Sequence, residues 1–337
     1  MNIAIVTLPL TNNYGGLLQN FAMQQILRKL GHNTITIDIK AKSNTPLWLF
    51  FCSWIKTILL YFIPRKRRKF AKFVLYYHRK KWSADFMSSF VKTTQMFKRL
   101  EKKIILDYRI DGIVVGSDQV WRPKYNCRLE DMFLKFAERI PIKRVAYAAS
   151  FGVDRWEYTF KQSCACSRLA KKFDAVSVRE ESGVKLCKEH LGVCASWVLD
   201  PTLILAKEDY LQICKNVPIC KEKYLAVYVL DENEQVTASY EREAEKRGLT
   251  IKKFYADSES TLTLPMWLSM FRDASFVVTD SFHGTVFSII FGKEFKCIYN
   301  ESRGAARFES LLKLYNSGKL DEMREFSLNW LKNALES

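Results

Sequence analysis

The stretch from Ala274 to Asn300, ASFVVTDSFHGTVFSIIFGKEFKCIYN, is the strongest constraint on the fold. Phe276 to Thr279 is an apolar, β-branched run that reads as a buried strand. Thr285 to Phe291 reads as a helix and Phe295 to Tyr299 as a second strand. Two strands joined by a helix in this way lie parallel in one sheet. In such sheets ligands bind beyond the carboxyl ends of the strands, where helix N-termini offer N–H groups to anions. The polar break of Asp280, Ser281, Phe282, His283 and Gly284 falls at that place. His283 is therefore a candidate proton carrier, because imidazole titrates near neutral pH; capping of the following helix is the structural alternative. Ser281 and Gly284 are candidate substrate contacts beside it.

The chain opens on the same pattern. Ile3 to Leu8 is an apolar run that ends at Thr11-Asn12-Asn13-Tyr14-Gly15-Gly16. A helix is predicted from about Leu17 to Leu30, stopped by Gly31, and a strand from Thr34 to Ile39. This βαβ unit is the usual start of a Rossmann-like domain. The loop lacks the GxGxxG pattern, so no dinucleotide fingerprint is present. Its Asn and Gly residues let the backbone approach a ligand, which makes Asn12, Asn13, Tyr14, Gly15 and Gly16 candidate contacts; a plain βα turn is the structural alternative.

Further strand ends carry chemistry of the same kind. Ile104 to Tyr108 and Gly112 to Val115 both read as strands, the second running into Gly116-Ser117-Asp118-Gln119-Val120-Trp121. Asp118 is placed to orient or deprotonate a hydroxyl, Ser117 and Gln119 to hydrogen-bond a sugar, and Trp121 to stack on a sugar face; capping by Asp118 is the plain alternative. Arg144 to Ser150 reads as a strand and Tyr158 to Phe173 as helix-like. Ala175 to Val178 delivers Arg179, which suits a carboxylate or phosphate clamp or a pair with Glu180 or Glu181. Arg303 and Arg307 fall in an irregular loop, with helical patterning from Phe308 onward.

At 337 residues the chain suits two α/β domains. Val198-Leu199-Asp200-Pro201-Thr202 reads as the crossing between residues 1–197 and 198–337. The second unit is predicted as a strand at Tyr224 to Leu230, a helix at Glu234 to Arg247, a strand at Thr250 to Phe254 and a helix near Pro265 to Arg272. The expected class is α/β, two Rossmann-like domains facing a central cleft, with the last helix packing back on the first domain. A balance of 53 basic and 36 acidic residues gives +17 and points to an anionic partner. Nine cysteines without a repeated spacing, and no His/Cys cluster, read as free thiols with no metal site.

Pro46 to Ile63 is nearly all apolar, and Arg65 to Lys81 holds nine Lys or Arg residues and no acid. A membrane span there would cut a Rossmann-like domain in two. The composition fits instead an insertion at about 46–100 whose residues 46–81 touch an anionic membrane surface, or a helix packed on the domain with a solvated basic face. No nucleic-acid module surrounds the patch, and nucleic acid is not an expected partner. The N-terminus, MNIAIVTLPL, enters a strand with no basic leader, which predicts a cytoplasmic protein, peripheral at the inner face of the cell membrane where the basic segment docks.

Six stretches taken together, NNYGGLLQNFAMQQIL, GSDQVWRP, YAASFG, SVREESG, VLDPTLIL and VTDSFHGTVFSIIFGKEF, resemble the polysaccharide pyruvyl transferase family in order and spacing. The resemblance covers roughly residues 1–20, 112–205 and 265–315. It implies a GT-B-like fold with the active site between two domains, the first on the acceptor side and the second on the donor side. It implies transfer of pyruvyl from phosphoenolpyruvate, a co-substrate rather than a cofactor, to hydroxyls of a surface-polysaccharide sugar, often lipid-linked, as a ketal. Carried over by residue, the family's arginine after the Ser-Val strand is Arg179 and its histidine is His283. Some relatives have Arg-Leu-His where this chain has Ser281-Phe282-His283, and Arg303 or Arg307 is the expected substitute for that arginine. A GT-B glycosyltransferase using a nucleotide sugar and a non-catalytic polysaccharide-assembly protein are the alternative readings.

Overall fold

The computed structural model describes residues 1–41, 79–126, 128–255, 262–298 and 305–336. Two sheets organise them. The first joins β1 (Asn2–Val6), β2 (Asn33–Thr36), β3 (Gly112–Gly116), β4 (Lys143–Ala149), β5 (Ala175–Val178) and β6 (Ser196–Trp197) in the order β2-β1-β3-β4-β5-β6. The second joins β7 (Tyr224–Tyr228), β8 (Thr250–Lys253), β9 (Phe276–Thr279) and β10 (Glu294–Cys297) in the order β10-β9-β7-β8. All pairings between these strands are parallel. The central strands β3, β7 and β9 are buried along their whole length, as strands covered by helices on both faces must be. The edge strand β8, Thr-Ile-Lys-Lys, is largely exposed, and its lysines blunt the open edge.

The strand order reverses between β1 and β3 in the first sheet and between β7 and β9 in the second. Those two switch points are where loops splay apart and leave a crevice. One apolar cluster spans both sheets, running from Ile3 and Leu18 through Tyr210 to Tyr224, Trp267, Phe287 and Leu331. Burying side chains of this size stabilises by about 1.5–3 kcal/mol each, so the two sheets share much of their stabilising core. The last helix, Leu320–Glu336, lies against the first sheet: Ser327 Oγ accepts from the Leu199 N–H at 2.9 Å, and the Trp330 ring is 6.0 Å from Tyr147 of β4.

Three local expectations need correction. Ile104 to Tyr108 belongs to a short helix, Lys102–Asp107, that buries Ile104 and Ile105 and leaves Leu106 exposed. A run of four or five apolar residues does not distinguish a strand from a helical turn. The helix after β9 starts at Phe282, not Thr285, so the polar break is its first turn. Arg307 is the second residue of a helix, Ala306–Asn316, and not part of an irregular loop.

Most of the apolar and basic run, residues 42–78, lies outside the described residues, as does Arg303. The end of the run is described, and Arg79 there turns inward. Its guanidinium donates to both oxygens of buried Asp38, at 2.7 and 3.1 Å, and to the Leu10 carbonyl at 2.8 Å. Arg79 is thus a fold-holding residue and no part of a basic docking face. No helix among the described residues is long and apolar enough to cross a membrane.

Candidate active site

The loops that follow β1, β3, β7 and β9 line one cavity of about 620 Å³. Thr7, Asn12, Asn13, Gly15 and Gly16 come from the first loop, Asp118 and Gln119 from the second, Leu230 from the third, and Asp280 to His283 from the fourth. The size suits a small-molecule ligand. Two helices point their N-termini into it, Tyr14–Lys29 from the first sheet and Phe282–Ile290 from the second. Asn13 Oδ1 caps one by accepting from the Gly16 N–H at 3.3 Å, and Ser281 Oγ caps the other by accepting from Gly284 at 3.4 Å. Each helix brings the positive end of its dipole, so the cavity is built for negative charge from both sides.

His283 sits in the first turn of the second helix and is 8% exposed. Its Nε2 is buried with no hydrogen-bond partner among the described residues. Burial lowers its pKa below the ordinary value, against the pull of Asp200 and Asp118 and with help from Arg179 and Arg307. The imidazole is therefore neutral at neutral pH and able to accept a proton.

Gly15 makes the approach of the two helices possible. A Cβ at Gly15 would lie 2.1 Å from His283 Nδ1, whereas at Gly16 its nearest neighbour would be 3.5 Å away. Gly15→Ala is expected to displace the imidazole and lower kcat by about a hundredfold, the usual scale for an ångström of misplacement. Gly16→Ala is expected to cost far less. Paired kcat and thermal-melt measurements check this, and equal effects of the two substitutions would exclude the steric argument.

Asp118 lies on the cavity wall with φ +59°, a left-handed conformation unusual for a non-glycine residue. The turn aims its carboxylate back into the site: Oδ1 accepts from the Gln119 N–H at 2.9 Å and stands 3.8 Å from Arg179 Nη2. Arg179 is not on the wall of this cavity. It stands behind it, beside a void of about 10 Å³ that Asp200, Phe282 and Arg307 also line. Its partner is neither Glu180 nor Glu181 but Asp200, whose Oδ2 accepts from Nη1 at 2.6 Å. Glu181 pairs with Lys313, and Glu180 accepts from the Phe151 and Gly152 N–H groups. Burial pushes the Glu180 carboxyl above its ordinary pKa.

Asp200 is the hub that the sequence reading missed. It also accepts from Gln19 Nε2 at 3.0 Å, Ser117 Oγ at 2.9 Å, and the Thr202 N–H and hydroxyl at 3.0 and 2.6 Å. Burial alone would raise its pKa; Arg179, His283 and Thr202 overrule burial and hold the carboxyl well below the usual range. Phe282 carries a guanidinium near its ring on two counts, Arg179 at 4.6 Å and Arg307 at 5.4 Å. Burial lowers the Arg307 pKa to about 10, with Arg179 adding to the shift and Asp118 opposing it, so Arg307 stays charged at neutral pH. Arg307 is the guanidinium that lines the large cavity.

Several candidates turn out to be structural. Trp121 is fully buried, stacked 4.7 Å from Phe133 with its indole N–H donated to the Met132 carbonyl, so it offers no face to a sugar. Tyr14 is sandwiched between Trp82 and Trp267 and donates to the Leu262 carbonyl at 2.7 Å. Ser117 is fully buried on Asp200, and Gly284 is buried against Thr279, whose Oγ1 would lie 2.2 Å from an added Cβ. An apolar or small residue beside a strand end is as often wedged under the site as placed in it. Tyr125, unremarked in the sequence, does line the cavity, and so does Lys80, read in the sequence only as part of the basic run. The Lys80 N–H donates to Asn12 Oδ1 at 2.8 Å, tying the end of the basic run to the first loop.

Two parallel sheets facing each other across such a cleft define a GT-B-like protein of two Rossmann-like domains. The fold is similar to that of a UDP-GlcNAc 2-epimerase from Neisseria meningitidis bound to UDP-GlcNAc, at 10% identity and a TM-score of 0.53 over 100% of this chain and 98% of that one. A glycosyltransferase from Rickettsia africae is similar at 10% identity and a TM-score of 0.44, over 99% and 94% of the two chains. No curated protein matches the sequence. The chain belongs to the polysaccharide pyruvyl transferase family, whose model matches residues 13–302, and is a transferase.

Proposed function

We propose that the protein transfers pyruvyl from phosphoenolpyruvate to two hydroxyls of one sugar of a cell-surface polysaccharide, in a lipid-linked precursor or the polymer, forming a ketal. The observation that carries this reading is the meeting of two helix N-termini, Arg307 and a neutral, buried His283 around one cavity. The donor has two anionic groups, a carboxylate and a phosphate, and two dipole ends with a guanidinium match them.

In this scheme the first acceptor oxygen bonds to the central carbon of the donor as the methylene carbon gains a proton. The hydroxyl proton passes to His283, which can return it to the methylene. The second hydroxyl then bonds to the same carbon while the C–O bond to phosphate breaks, and its proton leaves with the phosphate. The products are a methyl ketal carboxylate and inorganic phosphate, with no oxidant or reductant required. Asp118, on the cavity wall, helps to orient a hydroxyl, and Arg307 stabilises the departing charge.

The expected result is phosphate release from phosphoenolpyruvate only when a sugar acceptor is present, with a matching pyruvyl mass on the acceptor. A chain that hydrolyses or transfers from a nucleotide sugar and leaves phosphoenolpyruvate untouched would instead be a glycosyltransferase.

A further inference from the structure

Behind the cavity wall that carries Gln119, one buried residue organises a second group of side chains. Arg122 is 2% exposed, and its Nε and Nη2 donate to the two oxygens of Glu157 at 3.0 and 3.3 Å. Its Nη1 donates to Gln119 Oε1 at 3.0 Å. A guanidinium only donates, so the amide of Gln119 must turn its oxygen to Arg122 and keep its NH₂ for other partners. Gly152, at φ +74°, leaves the space for that orientation: an added Cβ would sit 2.0 Å from Gln119 Oε1.

The same arginine holds Tyr125. The Tyr125 N–H donates to the Arg122 carbonyl at 3.1 Å, and the Arg122 guanidinium carbon is 5.4 Å from the centre of the Tyr125 ring. Asn126 Nδ2 fastens the turn by donating to the Val120 carbonyl at 3.1 Å. Tyr125 is 42% exposed, yet it lines the cavity together with Gln119. It shares the cavity wall with Arg307. The Lys124 ammonium lies 5.8 Å from the centre of the same ring, which is left part-exposed. A part-exposed aromatic ring beside an oriented amide donor is the arrangement that recognises a pyranose: the ring takes the C–H face and the NH₂ a hydroxyl oxygen.

We propose that Gln119 and Tyr125 form the acceptor-sugar subsite, and that Arg122 is the positioning residue that presents both. This rests on the pyruvyl-transfer reading for the identity of the reaction, but not for the binding of the sugar. It also transfers the stacking role from Trp121 to a residue that has a face to offer.

The test uses the full-length protein and a panel of methyl glycosides of hexoses and N-acetylhexosamines, read by saturation-transfer NMR without phosphoenolpyruvate. Acceptor KM and phosphoenolpyruvate KM are then measured with any glycoside that is turned over. Tyr125→Ala and Gln119→Ala are each expected to weaken glycoside binding about tenfold, the scale of one stacked ring or one hydrogen bond. The dissociation constant for phosphoenolpyruvate should change less than twofold, and Tyr125→Phe should recover most of the lost glycoside affinity. Arg122→Lys, which cannot make the forked contact, should act like Gln119→Ala on acceptor KM. A wild-type protein that binds no glycoside overturns the subsite, as does unaltered acceptor affinity in Tyr125→Ala. Binding of glycosides with the predicted variant losses, but no consumption of phosphoenolpyruvate, keeps the subsite and overturns the reaction.

Discussion

His283→Ala is expected to reduce kcat/KM for phosphoenolpyruvate by about a thousandfold, within the range that a positioned acid or base contributes. The argument is geometric first. His283 is the imidazole on the cavity wall, in the first turn of a helix, with Nε2 buried and unpartnered among the described residues. In the proposed reaction an acceptor hydroxyl is the partner of this atom. The electrostatics add a direction. Burial lowers the His283 pKa from its ordinary value of 6.5, so the working neutral form persists through neutral pH. Activity should be level across that range and fall only as pH drops through the lowered pKa.

The linkage runs the same way: a histidine buried neutral binds its proton more readily in the unfolded chain. The stability associated with its neutral form is intact above about pH 6.5 and declines as pH falls below it. The two effects separate in the variant, which should lose turnover at all pH values and show a weaker acid dependence of its urea midpoint. Turnover of His283→Ala within tenfold of the wild type would remove His283 from the proton transfer.

Much of this arrangement was legible in the sequence because parallel strands leave a simple trace. Ile3 to Val6, Gly112 to Gly116 and Phe276 to Thr279 are apolar without alternation, and each stops at a polar or glycine-bearing loop. The position of a residue just after such a run places it at the crevice, which is why Asn12, Asn13, Asp118 and His283 all lie on the cavity wall. What periodicity does not carry is the direction of a side chain across a loop. Trp121 follows Asp118 by three residues but turns under the sheet, where Phe133 and Phe151 enclose it.

Asp200 shows the second kind of failure. Asp-Pro-Thr is a helix-start signature, and Asp200 does cap the short helix Pro201–Ile204. Its other partners, Gln19, Ser117 and Arg179, lie 181, 83 and 21 residues away and converge only in the folded chain. The same convergence explains Arg179. A strand-end arginine reads as a ligand clamp until the carboxylate that neutralises it comes into view. Charge composition says nothing of which guanidinium already has a carboxylate partner in the folded chain.

Asp200→Ala is expected to destabilise the protein by about 3–5 kcal/mol, because it leaves one member of a buried ion pair without its counter-charge. Asp200 and Arg179 have side chains 0% and 2% exposed, so water cannot replace the lost carboxylate without opening the structure. Gln19, Ser117 and Thr202 lose their acceptor in the same step. Asp200→Asn keeps the shape and two polar sites and should be intermediate. Arg179→Met combined with Asp200→Leu should be milder than Asp200→Ala alone, since no isolated charge remains.

The pH dependence has the opposite origin to that of His283. The folded Asp200 carboxyl titrates below its unfolded value, so its contribution is complete above about pH 4 and is lost as pH falls toward the depressed folded pKa. Acid unfolding of the wild type should therefore steepen below that point, and the Asp200→Asn profile should flatten. Urea midpoints at pH 7 and pH 3 for the wild type, Asp200→Ala, Asp200→Asn, Asp200→Leu, Arg179→Met and the double variant measure the whole set. A loss under 1 kcal/mol for Asp200→Ala, or strict additivity of Asp200→Leu with Arg179→Met, would show that the pair does not hold the two strand ends together.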